Sequence, residues 1–202
     1  SFWWDIDFDM SMPCAMHVEY AITRLGPGQA SASRSALTVW ASLAPIETNR
    51  ATLREVVVED LEGVHAVLGD SATSGGRSFF QSDRESTAKW IARRMNDQQV
   101  HGFSMWCVED RISKEVVGLA GLLPADHDEV EIGYVIRSDH QGAGLASEVV
   151  AAIVDLADHE GLQLVATIRS GNARSLQVAN RCGFAPAGSI DDEHGELLVF
   201  RR

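Results

Sequence analysis

Between Tyr134 and Ala146 the chain passes from an apolar strand pattern through a polar turn into a helix that opens on Gln141-Gly142-Ala143-Gly144. Such a junction exposes backbone N–H groups at the positive end of a helix, which suits a phosphate. Glycines there let a ligand come close to the main chain. The bland alternative is a tight turn with close helix packing. A dinucleotide-binding turn fits poorly. Gly142-x-Gly144-x-x-Ser147 is one glycine short of that fingerprint, and the following strand ends at Ile168-Arg169 with no acidic residue for a ribose.

Around this junction the pattern is regular. Residues 51–58 read as a strand with β-branched Val56, Val57 and Val58, and Glu59-Asp60 opens a helix with Leu61, Val64 and Leu68 on one face. Ser82 and Glu85 have the form of a capping box for a helix through about residue 96, with Ala88, Ile91 and Met95 aligned. Strands over 103–108, 116–123 and 129–136 are joined by short polar turns, and connections this short favour antiparallel pairing. An amphipathic helix over 143–160 turns Leu145, Val149, Ile153 and Leu156 inward and ends at Gly161. A buried strand over 162–168 follows, then a short helix over 172–181 ended by Gly183, and a last strand containing Val199 and Phe200. The fold class is α/β, a mixed central sheet flanked by helices.

Gln141-x-x-Gly144-x-Ala146 at a helix start resembles the acetyl-CoA loop of the GNAT N-acetyltransferases, in particular the RimJ/RimL-like branch. Thr52-Leu53-Arg54 with Glu59-Asp60-Leu61 resembles that branch's first strand and helix, and Glu131-Ile132-Gly133-Tyr134-Val135-Ile136 its strand before the loop. Asn172-Ala173-Arg174-Ser175, closing on Arg181-Cys182-Gly183-Phe184, resembles its Asn-x-x-Ser helix. The resemblance covers residues 47–202. Residues 1–46, with the soft stretch from Gly26 to Ser33, are then an N-terminal extension of unknown role, expected to be loosely ordered.

The resemblance implies the GNAT fold, with acetyl-CoA as acetyl-donor cosubstrate and no metal. It also implies direct attack by a primary amine. A protein N-terminus is the first expectation for the acceptor, and an amino acid, polyamine or aminoglycoside the second. The rival from another class is a non-catalytic acyl-CoA-binding or sensing domain. By resemblance the main chain of Tyr134, Val135 and Ile136 pairs with the pantetheine arm. The N–H groups of Gln141, Gly142, Ala143, Gly144, Leu145 and Ala146 take the pyrophosphate. Asn172 bonds the pantetheine region and Ser175 faces the thioester sulfur. Asn172 is equally a good helix cap.

The chemistry needs a neutral amine. Freeing a lysine at pH 7 costs about 4–5 kcal/mol, an α-amine only about 1 kcal/mol, so an N-terminal acceptor asks little of a base. Holding amine and thioester together supplies up to ~7–11 kcal/mol of the acceleration. Glu129 and Glu131 lie two apart on one strand face, and Glu131 is the first choice of base, working through a water. The tyrosine that many relatives use on the leaving thiolate is absent: Tyr20 and Tyr134 are the only tyrosines. Ser175 stands in for it. Cys182 reads as core, and His127, His140, His159 and His194 form no triad pattern.

A formal net charge of −12 argues against non-specific nucleic-acid binding and is compatible with a cationic acceptor. Three scattered cysteines without a C-x-x-C pair indicate neither zinc nor a disulfide framework. No apolar run approaches a membrane span, and the acidic start lacks the basic region of a signal peptide, so the expected location is cytoplasmic. A homodimer stays open.

Overall fold

An antiparallel meander carries the chain to the junction, and one parallel step carries it past. The computed structural model describes residues 42–74, 81, 83–126, 128–192 and 195–202. Residues 1–41 of the expected extension, the expected cap at Ser82, and His127 and His194 lie outside the described residues. The strands are β1 (Ile46–Glu47), β2 (Ala51–Arg54), β3 (Met105–Asp110), β4 (Val116–Pro124), β5 (Glu129–Ile136), β6 (Gln163–Arg169), β7 (Ala185–Asp192) and β8 (Gly195–Arg201). They form a single sheet in the order β1-β2-β3-β4-β5-β6-β8-β7, antiparallel except where β6 joins β5. The helices are α1 (Leu61–Leu68), α2 (Ser71–Ser74), α3 (Arg84–His101), α4 (Leu145–Glu160) and α5 (Ala173–Arg181).

Period-2 alternation sorts β5 between two faces. Val130, Ile132 and Ile136 join the cluster that includes Val149, Ile153 and Ala157 of α4. Each fully buried aliphatic side chain of this kind contributes about 1.5–3 kcal/mol. Glu129, Glu131, Gly133 and Val135 turn to the other face, on which α1 packs against β4. Leu43, Ala44 and Ile46 pack against the core, and the Leu43 N–H donates to Gly102 O at 3.3 Å.

The expected strand through Val58 stops at Arg54, which pairs with Cys107 two residues from the start of β3, so β3 has nothing to set opposite Val57 and Val58. Without a partner, β-propensity is not enough. The chain instead turns through a short 3₁₀ segment, Val58–Asp60, and leaves Val57 and Val58 40% and 65% exposed. Its geometry comes from Asp60, which accepts from the Val57 N–H at 2.9 Å and from both terminal nitrogens of Arg54 at 2.8 Å. Arg54 Nε also reaches Glu109 at 2.7 Å. Burial pushes the Asp60 carboxyl up, but the Arg54 and Val57 bonds outweigh it and hold it below the usual range. Asp60→Ala, which leaves the Arg54 fork without its partner, is expected to cost about 3 kcal/mol, seen as a lower urea midpoint at an unchanged slope. Because the native carboxyl is depressed, the gap is full above the ordinary Asp pKa near ~3.9 and closes as pH falls below it.

On α3 the expected stripe of Ala88, Ile91 and Met95 is not the core stripe. Thr87, Trp90, Ile91 and Arg94 are buried, while Ala88 and Met95, with Val58 and Leu61, line an apolar groove of about 320 Å³. Trp90 decides the rotation, since its ring carries more apolar area than an alanine or methionine can bury. The helix starts at Asp83, whose side chain accepts from the Ser86 N–H, and stops at Gly102 with φ 77°.

Candidate functional site

The parallel step is short. β5 and β6 pair only over Glu129–Gln163, Val130–Leu164 and Glu131–Val165, although β5 runs on to Ile136 and β6 to Arg169. β6 keeps its register with β8 as far as Arg169–Leu197. The two neighbours therefore separate beyond Glu131 and leave a cleft along the second half of β5. On its other edge β5 stays paired with β4 through Ile136–Gly118. The Arg137 N–H donates to Val117 O, so alternation turns the main-chain groups of Val135 toward β4 and those of Tyr134 and Ile136 toward the cleft. Ile136 O accepts from Gln141 Nε2 at 2.7 Å. The main chain of Tyr134 and Ile136 thus faces the cleft, whereas that of Val135, expected on the same side, turns the other way.

Glu131 sits at the fork. It is 8% exposed, and its carboxylate accepts from both the hydroxyl and the main-chain N–H of Thr167. That side chain occupies the position where strand pairing would have satisfied Thr167. Burial pushes the Glu131 carboxyl up, and the Thr167 bonds offset part of the rise. Glu129 is engaged differently, forked onto by Arg201 through Nε at 2.5 Å and Nη2 at 3.1 Å. An ion-paired carboxylate is a weaker proton acceptor than a buried one of raised pKa.

At the far end of β5 the loop closes onto α4. Gly142 and Gly144 take φ of 85° and 81°, the left-handed region that favours glycine. A Cβ on Gly142 would meet nothing within 4 Å. Among the described residues no side chain caps α4, which leaves its first-turn N–H groups available to an anion. Arg50 straps the loop from the β1–β2 turn: its Nη1 donates to Ala143 O at 2.8 Å and its Nε pairs with Glu148 at 2.7 Å. The positive-φ glycines, uncapped amides and open approach fit a diphosphate.

On the opposite wall, Asn172 caps α5 by accepting from the Ser175 N–H at 3.3 Å, and its amide donates to Ser175 Oγ at 2.8 Å. The Ser175 hydroxyl keeps its own proton to donate. Arg174 Nη1 donates to Gln141 Oε1 at 2.7 Å.

Residues 50–185, well over half of the chain, match the family model described as the acetyltransferase (GNAT) domain. The chain belongs to the GNAT acetyltransferase family. It is an acyltransferase with the GNAT fold. It is 28% identical over 153 residues to the uncharacterized N-acetyltransferase YoaA of Bacillus subtilis, covering 72% of this chain and 85% of that one. It is 27% identical over 148 residues to an L-methionine sulfoximine/L-methionine sulfone acetyltransferase of Pseudomonas aeruginosa, covering 69% and 83%. Among solved structures, RimL, a ribosomal L7/L12 α-N-protein acetyltransferase in complex with coenzyme A, superposes with a TM-score of 0.70 at 18% identity. That match covers 79% of this chain and 97% of RimL. The microcin C7 self-immunity acetyltransferase MccE, in complex with acetyl-CoA and AMP, gives 0.69 at 17%, over 80% and 98%. Among the described residues of this GNAT chain, no helix is long and apolar enough to cross a membrane.

Sequence reasoning missed Thr167, Arg50 and Arg174. Thr167 was within reach, since a polar residue in a buried strand has to find a partner. Arg50, just ahead of β2, carries no signal.

Proposed function

We propose that this GNAT domain, residues 47–202, transfers acetyl from acetyl-CoA to an α-amino group, first of all that of a protein N-terminus. The observation carrying this reading is Glu131 buried at the fork where β5 and β6 separate. Acetyl-CoA supplies the activated acyl group as a thioester. In this reading the main-chain groups of Tyr134 and Ile136 bind the pantetheine arm as an added strand would. The N–H groups from Gly142 to Ala146 bind the diphosphate, with charge-assisted bonds stronger than neutral ones. Glu131 accepts the amine's proton through a water while Thr167 fixes its carboxylate, and Ser175 Oγ holds a proton for the sulfur that leaves.

An α-amine needs only about 1 kcal/mol to lose its proton at pH 7, which one carboxylate of raised pKa can serve. A free amino acid shares that group, and the 27% identity to the L-methionine sulfoximine/sulfone acetyltransferase favours it as the second reading. Release of free thiol from acetyl-CoA, measured against N-terminal peptides, free amino acids, lysine peptides and polyamines, tests the choice. Fastest turnover with blocked-N-terminus lysine peptides or polyamines would overturn the α-amine reading.

A further inference from the structure

A relay of side-chain hydrogen bonds spans the mouth of the cleft. Gln141 Nε2 donates to Ile136 O, the last residue of β5, and Gln141 Oε1 accepts from Arg174 Nη1, each at 2.7 Å. Arg174 stands in the first turn of α5, directly after β6. The relay therefore ties together the two walls that separate beyond Glu131. It lies at the loop end of the cleft, beside the glycine turn into α4; the Gln141 N–H itself, expected to face a ligand, donates instead to Ser138 O at 3.3 Å. Arg174 is exposed, and its partner here is a neutral amide oxygen. A guanidinium gains more from a phosphate, which carries the opposite charge and matches its planar fork.

We infer that the Arg174–Gln141 bridge is a latch across the donor channel, and that Arg174 exchanges the Gln141 amide for a phosphate of coenzyme A when the donor binds. This rests on acetyl-CoA being the donor. Arg174 is then a binding residue in its own right, on the wall facing the backbone loop. Helix α5 does not depend on it, because Asn172 supplies the cap. The Gln141 amide that it releases can stay on Ile136 O.

Calorimetric binding of coenzyme A, 3′-dephospho-coenzyme A and pantetheine to the full chain and to its Arg174→Ala and Arg174→Lys variants tests this. The expected result is a coenzyme A affinity at least about tenfold lower in Arg174→Ala, partly recovered in Arg174→Lys, with a shallower salt dependence. Pantetheine, which carries no phosphate, should bind Arg174→Ala as well as wild type or better, because the latch is gone. A loss that persists with 3′-dephospho-coenzyme A assigns Arg174 to the diphosphate, and one that disappears assigns it to the 3′-phosphate. An unchanged coenzyme A affinity, or an equal loss with pantetheine, overturns the inference and leaves the donor reading intact. Failure of wild type to bind coenzyme A at all overturns the donor reading itself.

Discussion

Glu131→Gln is expected to lower kcat by about 10²-fold at saturating amine, the low end for a positioned base because an α-amine asks little of it, while leaving coenzyme A affinity unchanged. Steady-state kinetics beside calorimetry separates the two. Glutamine keeps an acceptor for Thr167, so the fork stays closed where an alanine would leave the Thr167 hydroxyl and N–H without their partner. The pH behaviour adds a second readout. Burial raises the native carboxyl, so the acid limb that Glu131 places on the rate lies above the ordinary glutamate range near ~4.3 and vanishes in Glu131→Gln. Stability moves the opposite way. Between the unfolded pKa and the raised native one, the folded chain binds more protons, and stability falls as pH rises through that window. Glu131→Gln should therefore melt higher than wild type at neutral pH and lose that advantage below about pH 4. A variant with full activity and an unchanged melting curve would reduce Glu131 to a buried carboxylate without function.

Gly144→Val is expected to weaken coenzyme A binding by roughly 100-fold, the loss of about 3 kcal/mol carried by one or two charge-assisted N–H bonds. Two effects combine. Gly144 has φ 81°, where a β-branched residue is strained by about 1–2 kcal/mol, and its side chain would project beside Arg50, whose Nη2 lies 3.9 Å from the Cβ position. Strain of that size lowers the melting temperature but does not itself cost 100-fold in affinity. Gly142→Ala carries a comparable backbone strain, at φ 85°, without a protein neighbour for its side chain. An added Cβ there meets no protein atom within 4 Å, so a loss of coenzyme A affinity beyond the loss of stability reports crowding of the ligand. Coenzyme A affinity that survives in both variants would remove the loop from the donor site.

Much of this molecule is legible in local pattern. β5 falls on residues 129–136 as the alternation predicts, and Gly161 ends α4 in the left-handed conformation. The glycine loop enters α4 at positive φ, and Asn172 caps α5. Each of these is settled within a few residues of chain. The failures have the opposite origin. Val56, Val57 and Val58 carry strand propensity, yet the strand ends at Arg54 and the chain turns into the 3₁₀ segment that Asp60 holds. The stripe on α3 is displaced by Trp90, which a count of period-3.6 positions does not weight by size.

The sequence by itself determined the glycine turn into α4, the order of the elements and the glutamates on one face of β5, because periodicity, turn chemistry and backbone sterics act at short range. Only the tertiary structure decided which glutamate is buried and which is ion-paired. Glu129 meets Arg201 of β8, seventy-two positions away, while Glu131 meets Thr167 where β6 departs. It also decided that Val135 turns its main chain to β4 and that Arg174 reaches across to Gln141. These outcomes depend on where two paired strands part, a property of the whole sheet that no single stretch of chain encodes.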